Sequence, residues 1–560
     1  MSSASSTRKT LVALLVCAAL GSSACAQLPL YGEVQAANPD LPTGPPLGQT
    51  AAGPAQDASA EKIVQGFLRA CSAGYSDDFT VARSFLGIAT AKQWQPDKQV
   101  RIFPSDSDLS ISRQQDGAFV VTVSAVASVD SAGIYVESGQ GSKISASFSL
   151  AKGIDQQWRI ASLEDGIILS ESAFSSAYAA STLYFLSPDR QRLVPELRWY
   201  PRRRQAAYMM QGLLEGPSAS LTGAVTTSFP TGTTLPLKTV NISEGIAQVE
   251  LSSEAQGQDE ATRANMYWQA EATLRALPAV SKVSLTIGDA PIEPALMPAQ
   301  TASDPPLAVM IKEGQIVTRQ DAKFSVLVGG EILAGLSPNH PAVAPGGAPL
   351  VFLDADSRLM IVPQGGRAPI VLMEAAQLLP PSVDSLGWIW TGNPAEDRIV
   401  KVVASNGTQL SLPLGGAHDG KLLGLRVSPD GARLAMLWET NEGTRIDVHA
   451  VVRDTQGTPS GLGPPLRMGE AITNVRAMTW ISGTNIAVLT SSPSEQMKVH
   501  IMELSGPSRT LSAVKGAISI ASSVDERQLM LATSDGQLFV RNGANWRLVG
   551  DDVRDPQFSG

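Results

Sequence analysis

The sequence predicts two α+β units followed by an all-β propeller of five or six blades. Three observations predict it. The chain has 560 residues, too many for one hydrophobic core, so several folded units are expected. Gly (49) and Pro (37) are plentiful, which suits turn-rich β architecture better than helix bundles. Helical apolar patterns fall in the first half of the chain, and short strands separated by turns recur after residue 305.

Composition narrows the function. Apolar residues make up 43%, charged residues 17%, and the formal net charge is −9. That balance argues against a general nucleic-acid binder, which carries a basic face. Aromatic residues are 5%, so stacking platforms for bases or sugars are scarce.

Residues 1–24 read as a signal segment. Arg8 and Lys9 form its charged start, Leu11 to Leu20 an apolar stretch too short to span a bilayer, and Gly21 to Ala24 a run of small residues. Two processing routes follow. Cys25 can become the first residue of a lipoprotein, its thiol alkylated and its new amine acylated, although Ser22 stands where a Leu-like residue is the rule. Alternatively, Ala24-Cys25-Ala26 is an A-x-A site that yields a secreted chain. Cys25 is the candidate lipidation site, because a spare cysteine has no other evident use at a soluble N-terminus. Each buried methylene of an acyl chain contributes ~0.8 kcal/mol, so several chains anchor stably to the membrane. Cys17 and Cys25 lie in or beside this segment and leave Cys71 alone, so no internal disulfide supports the folds. Residues 25–59 are rich in Pro, Ala and Gly and read as a flexible tether, spanning roughly 30 Å as a coil.

The first unit covers 60–185. Ile63, Val64, Phe67, Leu68 and Cys71 share one helical face, and a second helix is expected from Asp78 to Trp94. Strands are expected at Ala118 to Val129, Lys143 to Leu150 and Trp158 to Leu163. Helices followed by a meander suggest a cone packed on a curved sheet, resembling NTF2-like domains. The second unit covers 186–295. Arg198-Trp199-Tyr200-Pro201 ends a strand, and a helix from Gln205 to Glu215 stops at Gly216-Pro217. Leu237 to Ile242 and Ile246 to Leu251 flank Ser243-Glu244-Gly245 as a hairpin, and a helix from Glu260 to Leu277 precedes a strand from Val283 to Ile287. The third unit covers 305–560. Val427-Ser428-Pro429-Asp430-Gly431-Ala432-Arg433-Leu434-Ala435 reads as strand, turn, strand, with echoes at Gly335-Leu336-Ser337-Pro338, Thr479-Trp480-Ile481-Ser482-Gly483 and Ile520-Ala521-Ser522-Ser523. That spacing suits four-stranded blades. A last echo at Asp555-Pro556-Gln557-Phe558 would complete the first blade and leave no edge.

Reactive chemistry is missing from these patterns. The histidines His340, His418, His449 and His500 lie far apart in the third unit, where blade surfaces are their expected place. No metal-ligand spacing, nucleophile elbow or phosphate-cradling loop occurs, and no cofactor is implied. Glu164-Asp165 precedes Gly166 and reads as a turn. Arg202, Arg203 and Arg204, with Arg198 nearby, sit at the start of a helix, where cations are disfavoured by roughly 0.3–1 kcal/mol each. They read either as a solvated turn or as a partner surface for an anionic group.

The motifs L-L-E-G-P (213–217), F-P-x-G-T (229–233) and G-I-A-Q-V-E-L-S (245–252) resemble the GerMN domain of sporulation and envelope proteins. The full order is Cys25-Ala26-Gln27-Leu28-Pro29, then Trp158-Arg159-Ile160-Ala161, Asp165-Gly166-Ile167 and Leu183-Tyr184-Phe185, then GerMN, then propeller. It resembles the LpqB family of actinobacterial lipoproteins. The resemblance implies a non-catalytic accessory, lipid-anchored on the outer face of the cell membrane. Its implied role is to bind the extracellular part of a sensor histidine kinase, modulate that two-component system and affect envelope homeostasis. The alternative is a binding protein for a cell-wall polymer or small ligand that uses the propeller.

Overall fold

The computed structural model describes residues 51–559, apart from 106, 108, 289, 293–305, 321, 397, 416–419, 471, 492–496, 523 and 524. The signal segment, Cys25, the tether up to residue 50 and His418 lie outside the described residues. Residues 51–58, expected as the end of the tether, are held against the first unit. Asp57 and Gln157 exchange two hydrogen bonds (2.7 and 3.0 Å), and Ala51 and Ala58 pack on the core. Single alanines carry no periodic signal, so this docking was not legible in the sequence.

The helix Ala60–Asp77 starts at Ser59, whose hydroxyl accepts from the Lys62 amide, and buries Ile63, Val64, Phe67, Leu68 and Cys71. Cys71 is a free thiol packed in this core, and burial pushes its pKa far above the usual thiol value. The expected helix from Asp78 to Trp94 is two short helices instead, Thr80–Ser84 and Ile88–Gln93. Phe79 adopts a left-handed conformation, and Leu86 bridges to Ile160, pulling the chain out of helical geometry before Gly87. Two four-stranded sheets face these helices. One runs Ser110–Arg113, Phe119–Ser124, Lys143–Lys152, Trp158–Ser162; the other Tyr135–Glu137, Ala127–Asp130, Gln99–Phe103, Ile167–Ser170. Phe119, Val121 and Val123 are buried and alternate with more exposed residues, as a half-buried strand requires.

A hairpin of two nine-residue strands, Tyr178–Leu186 and Leu193–Pro201, then crosses the expected border at residue 185 and places Leu183, Phe185 and Val194 in a second core. The helix Gln205–Glu215 stops at Gly216. Ile246–Leu251 pairs with Asn241–Ser243 through a turn at Glu244-Gly245, both left-handed. The first of these expected strands starts at Asn241 rather than Leu237, because Lys238 is left-handed and Leu237 is exposed. The helix Glu260–Leu274 crosses over to Lys282–Ile287, which runs parallel to Ile246–Leu251.

Six antiparallel sheets follow among the described residues. The first contains Lys323–Val328, Gln315–Gln320, Ala308–Lys312 and, from the far end of the chain, Val553–Phe558. The other five open with Asn339–Val343, Ser382–Val383, Lys421–Val427, Val475–Trp480 and Ala517–Ala521. Each opening strand packs against the next, and Val553–Phe558 packs against both Asn339–Val343 and Ala517–Ala521. The chain is therefore α+β in its first half and all-β, with propeller-like four-stranded sheets, in its second.

Candidate functional site

The strand Leu193–Pro201 joins all three units, and its alternation explains how. Glu196, Arg198 and Tyr200 point inward and are buried. The Arg198 guanidinium donates to Glu196 Oε2 from Nε (2.9 Å) and Nη2 (2.5 Å), and to the carbonyls of Gly216 (2.7 Å) and Gly212 (3.3 Å). Glu196 Oε1 accepts from the Ser218 amide (3.1 Å). A buried ion pair thus caps the C-terminal end of the Gln205–Glu215 helix, where a cation is favoured. This is the physical content of the Gly216-Pro217 terminator.

The other side of the strand meets the neighbouring units. Trp199 packs, its ring tilted, against Phe174 (5.1 Å between ring centroids) and Tyr135 (5.7 Å) of the first unit. Its amide donates to the Gly133 carbonyl (2.7 Å). Gly133 is left-handed (φ 85°), and a Cβ there would lie 2.9 Å from the Trp199 carbonyl oxygen, so only glycine permits this approach. Trp199 Nε1 donates to the carbonyl of Ser505 (2.7 Å), in the propeller loop between Met497–Glu503 and Arg509–Ser512. The same loop gives the Ser505 hydroxyl to the Tyr135 amide as acceptor (2.8 Å) and the Ser508 amide to Glu137 as donor (2.7 Å).

The Ser428-Pro429-Asp430-Gly431 turn makes the second seam. Asp430 accepts from the Ala432 amide (2.9 Å) and Arg433 Nη1 (3.2 Å), and Arg433 Nη2 reaches the Pro195 carbonyl (2.6 Å). Ala432 and Ala450 extend the second core into the propeller. Beside it Arg453 pairs with Asp384 (2.5 Å), both buried. The crevice there, between Asp189, Arg192 and Asp454, has a volume of about 10 Å³, room for about one water. Trp199→Phe keeps an aromatic ring but removes the bond to Ser505 and part of the indole's packing surface. It should cost about 1–3 kcal/mol and speed hydrogen exchange in the 503–509 loop; unchanged exchange would separate that loop from the junction.

Arg202, Arg203 and Arg204 are exposed, yet their donors face inward partners. Arg203 Nη1 donates to the carbonyls of Tyr75 and Ser76 (both 3.0 Å), the last turn of Ala60–Asp77. Arg203 and Arg204 lie 3.5 and 3.3 Å from Asp78, and Arg202 Nη2 donates to the Ser175 carbonyl (3.3 Å). The helix start that disfavours these cations is offset by the end of a second helix, which favours them; sequence alone could not bring the two ends together.

Of the described histidines, His340 and His500 are partly exposed, and the expected surface placement fails at His449. His449 is buried with Nδ1 2.8 Å from the Gly463 carbonyl, because its strand is covered on both faces. His340 lies on an opening strand, 3.3 Å from Asp555. His500 lies between Thr490 and Thr510 (3.2 and 3.0 Å). Among the described residues no group of three or more His, Cys, Asp or Glu could hold a metal ion, and no helix is long and apolar enough to cross a membrane. Glu164 pairs with Arg101 (3.0 Å) and Asp165 accepts from the Gln95 amide (2.9 Å), the arrangement of a structural turn.

Three family profiles match in chain order. They are the N-terminal domain of lipoprotein LpqB at 53–175, a domain of sporulation and spore germination at 182–293, and the lipoprotein LpqB β-propeller domain at 314–559. Lipoprotein LpqB of Bifidobacterium longum is 26% identical over 94% of both chains, and that of Streptomyces coelicolor 25% over 94% of both. The relative from Streptomyces avermitilis is 25% identical over 97% of both. Taken with the two α+β units and the propeller-like sheets in that order, these matches show that the chain belongs to the LpqB family of lipid-anchored, extracytoplasmic membrane proteins.

Proposed function

We propose that this lipoprotein is a non-catalytic accessory, anchored through a lipid on Cys25, that binds the extracellular part of a sensor histidine kinase and modulates its two-component system. The observation that carries this reading is the junction on Leu193–Pro201. It ties the three units through packed rings and hydrogen bonds to backbone carbonyls, around an ion pair buried within the second unit, and leaves broad faces, with no cleft of converging reactive groups among the described residues. A tethered body of that kind meets a membrane-embedded partner at high effective concentration, so modest contacts suffice.

Further details belong to the same proposal. The six sheets are read as a closed six-bladed ring, completed by Val553–Phe558 and supported by its packing on the second and sixth sheets. Residues 1–24 are read as the cleaved signal and the stretch from Cys25 as the tether. Arg202, Arg203 and Arg204 are read as a clasp between the two α+β units rather than a partner surface, given their contacts with Tyr75, Ser76 and Asp78. Replacing all three by Gln should lower the urea midpoint by the equivalent of about 1 kcal/mol and leave partner binding unchanged. A salt-dependent loss of binding at unchanged stability would instead make them a contact surface.

Affinity capture from detergent-solubilised membranes tests the role. The kinase is the expected co-purifying protein. Recovery of glycan fragments in its place would favour the cell-wall polymer reading.

A further inference from the structure

We propose that the outer edge of the first propeller sheet, the strand Lys323–Val328, takes up an extended acidic segment of a partner protein as an added strand. The sheet ends at this strand, whose far edge has no paired neighbour among the described residues. Unpaired edges invite pairing, and proteins blunt them with charge or proline. Two other outer strands follow that rule, whereas the outer strand of the second sheet, Ile370–Met373, also exposes an apolar pair, Ile370 (56%) and Val371 (43%). Gln409–Pro413 exposes Gln409 and Ser411 and ends in proline, and Arg509–Ser512 exposes Arg509, Thr510 and Ser512. Lys323–Val328 exposes Val326 (58%) and Leu327 (42%) on opposite faces of its strand, with Leu548 (46%) on the nearby strand Asn545–Gly550, and it differs from Ile370–Met373 in the cations beside it.

Charge identifies the occupant. Phe324 lies opposite Arg319 in the ladder and against Gly550, where a Cβ would be 2.8 Å from its ring, so the outer strands of the first and sixth sheets abut. That contact brings Arg319 and Arg547 together. Neither has an ion-pair partner among the described residues, and Arg319 Nε is buried without an acceptor. Burial and the Arg547 charge push Arg319 below the usual arginine pKa. Lys323 adds a third exposed cation at the start of the edge, while Asp321, in the adjoining turn, lies outside the described residues. Two guanidinium groups with no carboxylate partner among the described residues fit carboxylate side chains, which such groups bind bidentately. Strand addition would supply main-chain hydrogen bonds, and the apolar pair the side-chain contacts. A second copy of this chain fits less well, since edge-to-edge pairing would oppose like charges.

This surface deepens the partner-binding role and rests on it only for the protein that supplies the segment. The test uses the mature protein with two labelled octapeptides, one alternating Val with Glu and one alternating Val with Lys, read by fluorescence anisotropy and amide hydrogen exchange. The Glu peptide should slow exchange within 323–328, bind about tenfold or more tighter than the Lys peptide, and lose about tenfold in Arg319→Gln/Arg547→Gln. Arg547→Gln alone, at an exposed side chain, should weaken binding without touching the fold. Equal binding of both peptides, protection elsewhere, an unaffected double variant, or peptide-free dimerisation that protects the same strand would overturn the site. Kinase binding by the wild type, measured separately, tests the wider role and does not depend on these arms.

Discussion

Arg198→Ala should destabilise the folded protein by about 3–5 kcal/mol, the typical cost of removing one partner of a buried ion pair. Arg198 is 1% exposed and Glu196 4%. Without the guanidinium, the Glu196 carboxylate stays buried with Ser218 as its remaining hydrogen-bond partner among the described residues, and the carbonyls of Gly212 and Gly216 lose their donor. Desolvation, not the lost attraction alone, sets the size of the effect. The double variant Arg198→Met/Glu196→Leu removes both charges and should recover much of the loss. Urea unfolding followed by intrinsic tryptophan fluorescence measures both, since Trp199 adjoins the pair. A loss under about 1 kcal/mol, the range of exposed pairs, would mean that the pair is solvated. Because Pro195 and Trp199 lie on the same strand, Arg198→Ala should also open both seams with the propeller to protease.

Cys25→Ala should abolish fatty-acid labelling and remove nearly all of the processed, membrane-bound protein. The expectation rests on additive burial: at ~0.8 kcal/mol per methylene, two or more acyl chains hold the protein effectively irreversibly, whereas one chain binds only marginally. Metabolic labelling with a palmitate analogue, and intact-mass analysis of membrane and medium, report it. Wild-type protein recovered from the medium with Gln27 as its first residue and no acyl mass would establish the secreted route.

Much of the fold was legible because burial imposes periodicity. Ile63, Val64, Phe67, Leu68 and Cys71 on one helix face, and Phe119, Val121 and Val123 on one strand face, reach their cores as their spacing requires. The Ser428-Pro429-Asp430-Gly431 turn was visible because its residue types are chosen by local hydrogen bonds. Its position on the seam was not, since Arg433 finds the Pro195 carbonyl 238 residues away in sequence. The echo at Gly335-Leu336-Ser337-Pro338 precedes its strand, Asn339–Val343, whereas the other turns follow theirs. The third sheet's turn, Asp384-Ser385-Leu386-Gly387, shares little sequence with the others, though Asp384 accepts from the Leu386 and Trp388 amides in the same way.

The junction was the least legible part. Arg198, Trp199 and Tyr200 are consecutive, and a strand sends them to opposite faces. A large polar residue flanked by aromatics on both faces was the available signal that both sides of this strand are covered. What covers them, the end of the Gln205–Glu215 helix on one side and Gly133, Phe174 and Ser505 on the other, comes from separate units. Long-range packing of this kind has no local pattern to betray it, and the same is true of the Arg203 contact with Tyr75 and Ser76.

Direct titration of the purified mature protein against the purified extracellular part of the sensor kinase bears on the proposed role most closely. Saturable one-to-one binding, weakened when Arg198→Ala loosens the three-unit body, is the predicted result. No heat and no anisotropy change at the highest attainable concentrations, with cell-wall glycan binding in the same assay, would contradict it.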